Sequence, residues 1–301
     1  VRFRFRHFPS TMMRQYQPHW VLPISSSEWK TRISLVVRFG RSCTRVIPMI
    51  VEYEKRGKVA VITLNRHEAR NAVSGELAEA LEAAVDQLES DDEIWVGVLA
   101  GNGPVFCAGA DLKAVASGKA NLGTKRGGFG GFVVLERTKP IIAAVEGPAV
   151  AGGCELVLAC DMVVASSGAS FGLPEVKRSL VAMAGGTTRL PKRLPPNIAM
   201  EMALTGDTID AERAYHHGLV NILCGSGKAI EEAIGLAERI NVNAPLAVRA
   251  TRKAVREGAL VDDNEGIRLA IDLFGPVASS DDAKEGPRAF VEKRPPEWKA
   301  H

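Results

Sequence analysis

A layered α/β fold is predicted for this 301-residue chain by three observations. Short strand-like runs, among them Val59 to Asn65, Trp95 to Ala100 and Ile141 to Glu146, alternate with segments of helical period. The order strand, strand, helix recurs, which sets helices against a sheet. The length is enough to bury a substantial core in one large domain or two.

Residues 1–48 stand apart from that pattern. They are rich in Arg, Ser and aromatic residues without a clear period, and are expected to be an N-terminal extension, disordered or not native. An upstream start in the reading frame is the preferred explanation, because a Met stands at position 49 where regular structure begins. A transit-type presequence, Arg-rich and poor in acids, is the alternative. Residues 49–209 read as the α/β core and 210–301 as a helical region.

Within the core, Val51 to Tyr53 and Val59 to Asn65 alternate as paired strands around the turn Arg56-Gly57-Lys58. Ser74 reads as the N-cap of a helix running to Leu88, with Leu77, Leu81, Val85 and Leu88 on one stripe. The strand Trp95 to Ala100 leads into a small-residue loop through Ala110. A Gly-rich insertion from Ser117 to Gly131 follows and is read as mobile. After the strand Ile141 to Glu146 an apolar helix begins near Gly152, then a strand at Met162 to Ala165. From Asp210 the pattern is helical: Ala211 to His216, Ala229 to Val242, Pro245 to Glu257, Glu265 to Phe274, and Asp281 to Phe290.

Three segments carry chemistry. In Pro148-Ala149-Val150-Ala151-Gly152-Gly153-Cys154-Glu155 a bare backbone amide opens a helix, and a carboxylate follows one turn later. Unpaired N–H groups at such an end attract developing negative charge, so a carbonyl oxygen is a natural guest. Phe106-Cys107-Ala108-Gly109-Ala110-Asp111-Leu112-Lys113 is a loop after a strand. Ser170-Phe171-Gly172-Leu173-Pro174-Glu175 leaves a strand and ends in a second carboxylate. Taken singly, each has a plainer reading: a glutamate complementing a helix dipole, a solvated residue after proline, glycines serving a turn.

In this order the three segments resemble the enoyl-CoA hydratase/isomerase (crotonase) superfamily, over roughly residues 50 to 301. The resemblance implies a spiral of ββα units with a C-terminal helical trimerisation region, giving trimers or hexamers built as dimers of trimers. It implies that the amides of Ala110 and Gly152 form an oxyanion hole for an acyl-CoA thioester, and that Glu155 and Glu175 are the acid/base pair. With both glutamates present, reversible hydration of a 2-enoyl-CoA is the leading reading, of the kind used in fatty-acid β-oxidation. A carnitinyl-CoA dehydratase or an enoyl-CoA isomerase is the alternative within the family. The former branch is suggested by the Gly-rich insertion, Arg189-Leu190-Pro191-Lys192 and the tail from Glu285-Gly286-Pro287 to Trp298. The segments matching the family's CoA contacts supply Ala69, Arg70, Ala72, Ala108, Asp111, Leu112 and Lys113, with Gly153 and Phe129 beside the acyl group. Glu68 stands where relatives often carry a lysine. No cofactor is expected beyond the coenzyme A of the substrate, and no metal.

Competing classes leave weaker marks. Gly168-Ala169-Ser170-Phe171-Gly172 fits the G-x-S-x-G pattern of a serine hydrolase with His216 or His217 as base, but Leu173-Pro174 follows where a helix should start. A non-catalytic acyl-CoA binder is the other class. Residues 1–49 hold nine basic side chains against Glu28, leaving 29 basic and 34 acidic elsewhere, a balance of −5. Such a core is a poor nucleic-acid platform. Five cysteines with no C-x-x-C pair fit a reduced protein, and Cys107 and Cys154 read as small packing residues. No run of 18 apolar residues exists, so no membrane span and a cytoplasmic location are expected.

Overall fold

The computed structural model describes residues 35–39, 43–47, 49–116 and 121–301. Most of the N-terminal extension expected over 1–48 lies outside these residues. The described part of it is β1 (Leu35–Phe39) and β2 (Cys43–Ile47), which pair antiparallel in a sheet of their own.

A hairpin opens the core, as the alternation implies. β3 (Val51–Arg56) and β4 (Val59–Leu64) pair from Val51 opposite Leu64 to Arg56 opposite Val59, and Gly57 makes the turn at φ 59°. α1 (Gly75–Ser90) crosses to β5 (Val96–Gly101), which lies parallel to β4. The Ser74 hydroxyl accepts the Leu77 N–H at 3.3 Å, and the stripe Leu77, Leu81, Val85 and Leu88 is fully buried. After the single turn α2 (Leu112–Ala116), two short strands, β6 (Gly123–Thr124) and β7 (Gly128–Phe129), pair with each other. Then follow β8 (Ile141–Val145), β9 (Ala149–Val150), α3 (Gly152–Ala159), β10 (Met162–Ser166) and β11 (Ser170–Gly172). The chain continues through α4 (Gly186–Arg193), α5 (Pro196–Thr205), β12 (Thr208–Asp210), α6 (Ala211–His216) and β13 (Ile222–Cys224). It closes with α7 (Ala229–Asn241), α8 (Pro245–Gly258), α9 (Asp263–Ala278) and α10 (Asp282–Glu292).

The main sheet runs β13-β10-β8-β5-β4-β3, parallel except for the opening hairpin, and a smaller sheet runs β12-β11-β9. Successive side chains of a strand face opposite sides, and the core divides accordingly. Ala60, Ile62 and Leu64 pack with α1, α3 and the α4–α5 pair, while Val59 and Val61 join Val98, Ile142 and Val164 against Ala229, Ala233 and Ala237 of α7. Both faces are covered, which is why β4, β5 and β8 read as nearly continuous apolar runs.

Two expectations change in detail. The stretch after Asp210 is not all helix, because Ile222–Cys224 pairs with β10 as the edge of the main sheet. The described end of the Gly-rich insertion is clamped rather than loose. Glu82 accepts from Gly127 N–H at 3.0 Å, Arg126 bonds Asp86 at 2.7 Å, and a Cβ on Gly131 would collide with the carbonyl of Ala78. Glycine is there for close approach to α1.

Lys139 is 1% exposed, and its ammonium caps the C-terminal end of α1, donating to Leu88 O at 2.7 Å and Asp91 O at 2.6 Å. Lys139→Met should leave both carbonyls without that donor and lower unfolding free energy by about 1–3 kcal/mol in denaturant melts. An unchanged midpoint would show that the cap contributes nothing.

Candidate active site

Backbone pairing draws the separate motifs together. Residues 70–73 run beside 108–111 through Ala108 N–H to Arg70 O at 3.0 Å, Val73 N–H to Gly109 O at 2.7 Å and Asp111 N–H to Val73 O at 2.9 Å. The 107–110 loop touches the next segment through Val150 N–H to Cys107 O at 3.1 Å, and Ala151 N–H reaches Gly172 O at 2.9 Å. Four pieces of chain distant in sequence are thus stitched side by side.

Asn71, which sequence reasoning did not single out as a site residue, locks this arrangement. Its side chain is fully buried, accepts Arg66 N–H at 2.9 Å and donates to Asn102 O, Val105 O and Phe106 O at 2.8–3.1 Å. Arg70 and Asn71 both take the left-handed conformation, at φ 55° and 53°. Asn tolerates that region, and the turn aims its amide inward. An Asn in a polar run after a strand was the available signal.

The two proposed oxyanion donors lie on neighbouring loops. A Cβ built on Gly109 would stand 2.8 Å from Ala151 Cβ and 3.0 Å from Gly152 N, so the residue preceding Ala110 abuts the start of α3. Among the described residues neither the Ala110 nor the Gly152 N–H donates a hydrogen bond. Gly152 is the first residue of α3, where an N–H has no partner in its own helix. Ala151 holds φ 52° and ψ −130°, a strained setting for a residue with a Cβ, and turns the chain so that α3 begins at this point. The end of the Phe129 ring covers Gly152, where any Cβ would meet it, and Gly153 lies on the Cys107 carbonyl. Phe129 therefore packs directly on the Gly152 amide, and Gly153 is enclosed by the 107–110 loop.

Glu155, in the first turn of α3, is 3% exposed, and its Oε1 accepts Gly186 N–H from the start of α4 at 2.9 Å. Burial lifts its carboxyl above the ordinary range, and the nearby Glu175 charge adds to this; the N–H groups of Gly186 and Ala184 and the Arg189 guanidinium oppose it. Glu175 follows Pro174 in a 3₁₀ turn, and its Oε2 is buried with no hydrogen-bond partner among the described residues. Burial raises its pKa too, against its own backbone N–H and Arg178. Cys154 senses both carboxylates: burial first, then Glu155 and Glu175, push its thiol up to about 12. The Cys107 thiol is likewise pushed to about 12 by burial. Both are packing groups with thiols held protonated, and the two acids of raised pKa lie close enough for the Glu175 charge to act on Glu155.

Of the residues predicted to contact coenzyme A, those near 70–72 and 108–111 lie on paired segments of chain. Ala69, Arg70, Ala108 and the α2 residues Leu112 and Lys113 are at least partly exposed, whereas Ala72 is buried. Asp111 is engaged structurally, bonding Arg66 at 2.7 Å and capping α2 through Lys113 N–H at 3.0 Å. Arg66 holds its carboxyl below the usual range. Arg66 also donates to Ala72 O at 2.9 Å, a brace absent from the sequence reading.

The hydrolase alternative lacks its geometry. Ser170 lies within β11 opposite Asp210, and a 3₁₀ turn follows the strand instead of a helix. His216 and His217 stack edge-to-face at 5.0 Å at the far end of α6, about 9 Å of helix axis from its N-cap Asp210. Among the described residues no group of three or more His, Cys, Asp or Glu could hold a metal ion, and no helix is long and apolar enough to cross a membrane.

The family model described as Enoyl-CoA hydratase/isomerase matches residues 54–301. The chain belongs to the enoyl-CoA hydratase/isomerase family. Enoyl-CoA hydratase EchA19 of Mycobacterium tuberculosis is 40% identical over 251 residues, 81% of this chain and 94% of that one. A carnitinyl-CoA dehydratase of Proteus mirabilis is also 40% identical over 251 residues, 81% and 96% of the two chains. Among solved structures, an enoyl-CoA hydratase from Mycobacterium tuberculosis superposes with a TM-score of 0.82 at 47% identity, covering 84% of this chain and all of that one. A carnitinyl-CoA hydratase from Mycobacterium avium gives 0.68 at 45% identity, covering 85% and 100%. The crotonase fold expected from the motifs is the fold observed.

In this family member, the raised folded-state pKa of Glu155 has a consequence for stability. The folded state holds the proton more tightly than the unfolded chain. That contribution is complete below the unfolded carboxyl value of 4.5 and is lost as pH rises through the folded value. Glu155→Gln keeps an uncharged side chain at every pH, so its melting temperature relative to wild type should climb as pH rises above 4.5, until wild-type Glu155 is fully ionised in the folded state. A difference that is flat or falls with pH would contradict a raised value.

Proposed function

We infer that this chain is an enoyl-CoA hydratase, adding water reversibly across the 2,3 double bond of a 2-enoyl-CoA thioester. The observation carrying this reading is the pair Glu155 and Glu175: one in the first turn of the helix that begins with the free Gly152 amide and oriented by Gly186 N–H, the other near enough for its charge to act on the first and with an unpartnered buried oxygen. Relatives named as hydratases and dehydratases, at about 40% identity across nearly their full length, support the same hydro-lyase chemistry.

In this mechanism the thioester oxygen sits between the N–H groups of Ala110 and Gly152. Polarisation makes the β-carbon electrophilic and stabilises the enolate that forms on attack, and one such donor typically contributes roughly 3 kcal/mol. The paired carboxyl groups hold the water, one removing a proton as oxygen bonds to the β-carbon and the other delivering a proton to the α-carbon. The reverse sequence dehydrates a 3-hydroxyacyl-CoA. Burial raises both carboxyl pKa values and so favours holding a proton within the pair, to which that proton belongs. Arg70 and Lys113, exposed on the rim, supply cations toward the nucleotide end of coenzyme A. A carnitinyl-CoA dehydratase reading draws on the relatives of that name, and comparing crotonyl-CoA with crotonobetainyl-CoA turnover separates the two.

Self-association completes the proposed enzyme. In α9, Ile267, Ile271 and Phe274 repeat at helical spacing and are 58%, 63% and 63% exposed. A stripe of that size fits burial against further copies of the chain in a trimer. Sedimentation should give a trimer or a multiple of it, and a stable monomer at micromolar concentration would reject the assembly.

Glu155→Gln and Glu175→Gln should each cut hydration of crotonyl-CoA by at least about 10²-fold, read from the loss of enoyl-thioester absorbance. Calorimetric affinity for the ligand should stay within a few-fold. Turnover at the wild-type rate would remove that residue from the mechanism, and a wild type that binds without turnover would favour an acyl-CoA binder.

A further inference from the structure

Two consecutive peptide units in the turn before α4 are gripped by one residue, and the second of them orients Glu155. The N–H of the Gly185–Gly186 unit donates to Glu155 Oε1 at 2.9 Å, and the carbonyl of that same unit accepts the Arg189 N–H at 2.8 Å. The unit before it, Ala184–Gly185, is held by the Arg189 side chain, whose Nη1 donates to Ala184 O at 3.2 Å. Gly185 makes room for this contact. It sits at φ 108°, and a Cβ there would collide with the guanidinium, which lies flush on the backbone it braces.

The same guanidinium reaches a second loop. Nη2 donates to Val133 O, and Val133 N–H bonds Phe129 O at 3.3 Å in the turn that lays the Phe129 ring on Gly152. Arg189 therefore joins the loop that orients Glu155 to the segment that covers Gly152, and those two residues lie within one turn of α3. A planar fork of donors suits this task, because it can span two carbonyls at a fixed angle.

Charge acts in the same place. Arg189 is half-buried, and its positive charge acts on Glu155 through space, opposing the rise that burial and then the Glu175 charge impose. The other groups facing Glu155 are the N–H donors of Gly186 and Ala184 and the thiol of Cys154. Those facing Arg189 are Arg256, Arg193 and Cys160.

We propose that Arg189 is a positioning residue for the acid/base pair: by bracing the Ala184 carbonyl and bridging to Val133 it fixes the turn that aims Glu155, and its charge favours the ionised carboxylate. Arg189 acts through Glu155 and needs no contact with the substrate. The catalytic consequence rests on the hydratase reading, whereas the effect on the Glu155 proton does not.

The test compares Arg189→Gln, which removes the charge and shortens the reach, with Arg189→Lys, which keeps the charge but cannot span both carbonyls. With crotonyl-CoA, Arg189→Gln should lower kcat about tenfold or more and leave KM within a few-fold of wild type, because the carboxyl is misaimed while the substrate's own contacts are untouched. Independently of turnover, the melting-temperature difference between Glu155→Gln and its parent reports the Glu155 proton. Loss of the Arg189 charge raises the folded value further above 4.5, so in the Arg189→Gln background that difference should go on climbing to higher pH than in the wild-type background. In the Arg189→Lys background the climb should end where it does in wild type, with kcat still lowered, and this combination decides the case if Arg189→Gln does not fold. Wild-type kcat in either folded variant, a loss carried by KM alone, or a Glu155 titration unmoved in Arg189→Gln or moved as far in Arg189→Lys would each overturn the proposal. A wild type without turnover would count against the hydratase reading instead, and the melting comparison would then judge Arg189 by itself.

Discussion

The structure turns on close backbone contact between loops that leave adjacent strands. Gly109 against Ala151, Gly153 against the Cys107 carbonyl and the Asn71 amide across three carbonyls hold these loops at a distance no larger side chain would permit. Most peptide groups in the contact are satisfied by one another, as buried backbone must be. The N–H groups of Ala110 and Gly152 are left over, and they fall on the same wall. A buried donor without a partner is unfavourable in the resting fold and useful only when a guest brings an acceptor. The strain at Ala151 belongs to the same account: that φ, ψ combination is what lets the strand β9 end and α3 begin within one residue.

Burial does for the carboxyl pair what a metal or a cofactor would do elsewhere. Glu155 and Glu175 are acids in a largely apolar wall, and desolvation is the largest cause of the rise in both. Neither is paired with a cation by a direct salt bridge among the described residues, which preserves the rise. Were Arg189 in direct contact with Glu155, the carboxyl would be pinned in its charged form and lost as a proton donor. Instead Arg189 donates to the carbonyls of Ala184 and Val133, and its charge reaches Glu155 only through space.

Local chemistry explains which parts of this were readable from the sequence. The hairpin, the Ser74-capped helix, the central strands and the five C-terminal helices follow from periodicity and capping, and the structure places each near its expected position. α4 and α5 escaped, because Pro191 lies inside one, Pro195-Pro196 opens the other, and α4 is mostly polar. β13 escaped as well, since three residues carry no period and gain strand character only by pairing with β10. At the site, the motif residues were legible because a free helix amide and a carboxylate one turn on can be seen in one dimension. Asn71, Arg66 and the Gly186 N–H were not, because each acts across 5 to 45 positions of chain: Arg66 on Asn71 and Asp111, Asn71 on Phe106, Gly186 on Glu155.

A single buried helix organises the remaining electrostatics. All eight residues of α3 are buried, so both of its ends need partners that water cannot supply. At the C-terminal end, Arg137 donates to Ala159 O and Arg193 to Cys160 O and Asp161 O, cations placed where the helix dipole is negative. At the N-terminal end no side chain caps the helix, and the dipole's positive end faces the proposed thioester position. That asymmetry accounts for Arg137 and Arg193 as structural caps. Arg252 and Arg256 approach from α8 and pair with the carboxylate of Asp161 just beyond that end. Through these two pairs the same end of α3 also ties α8 to the core.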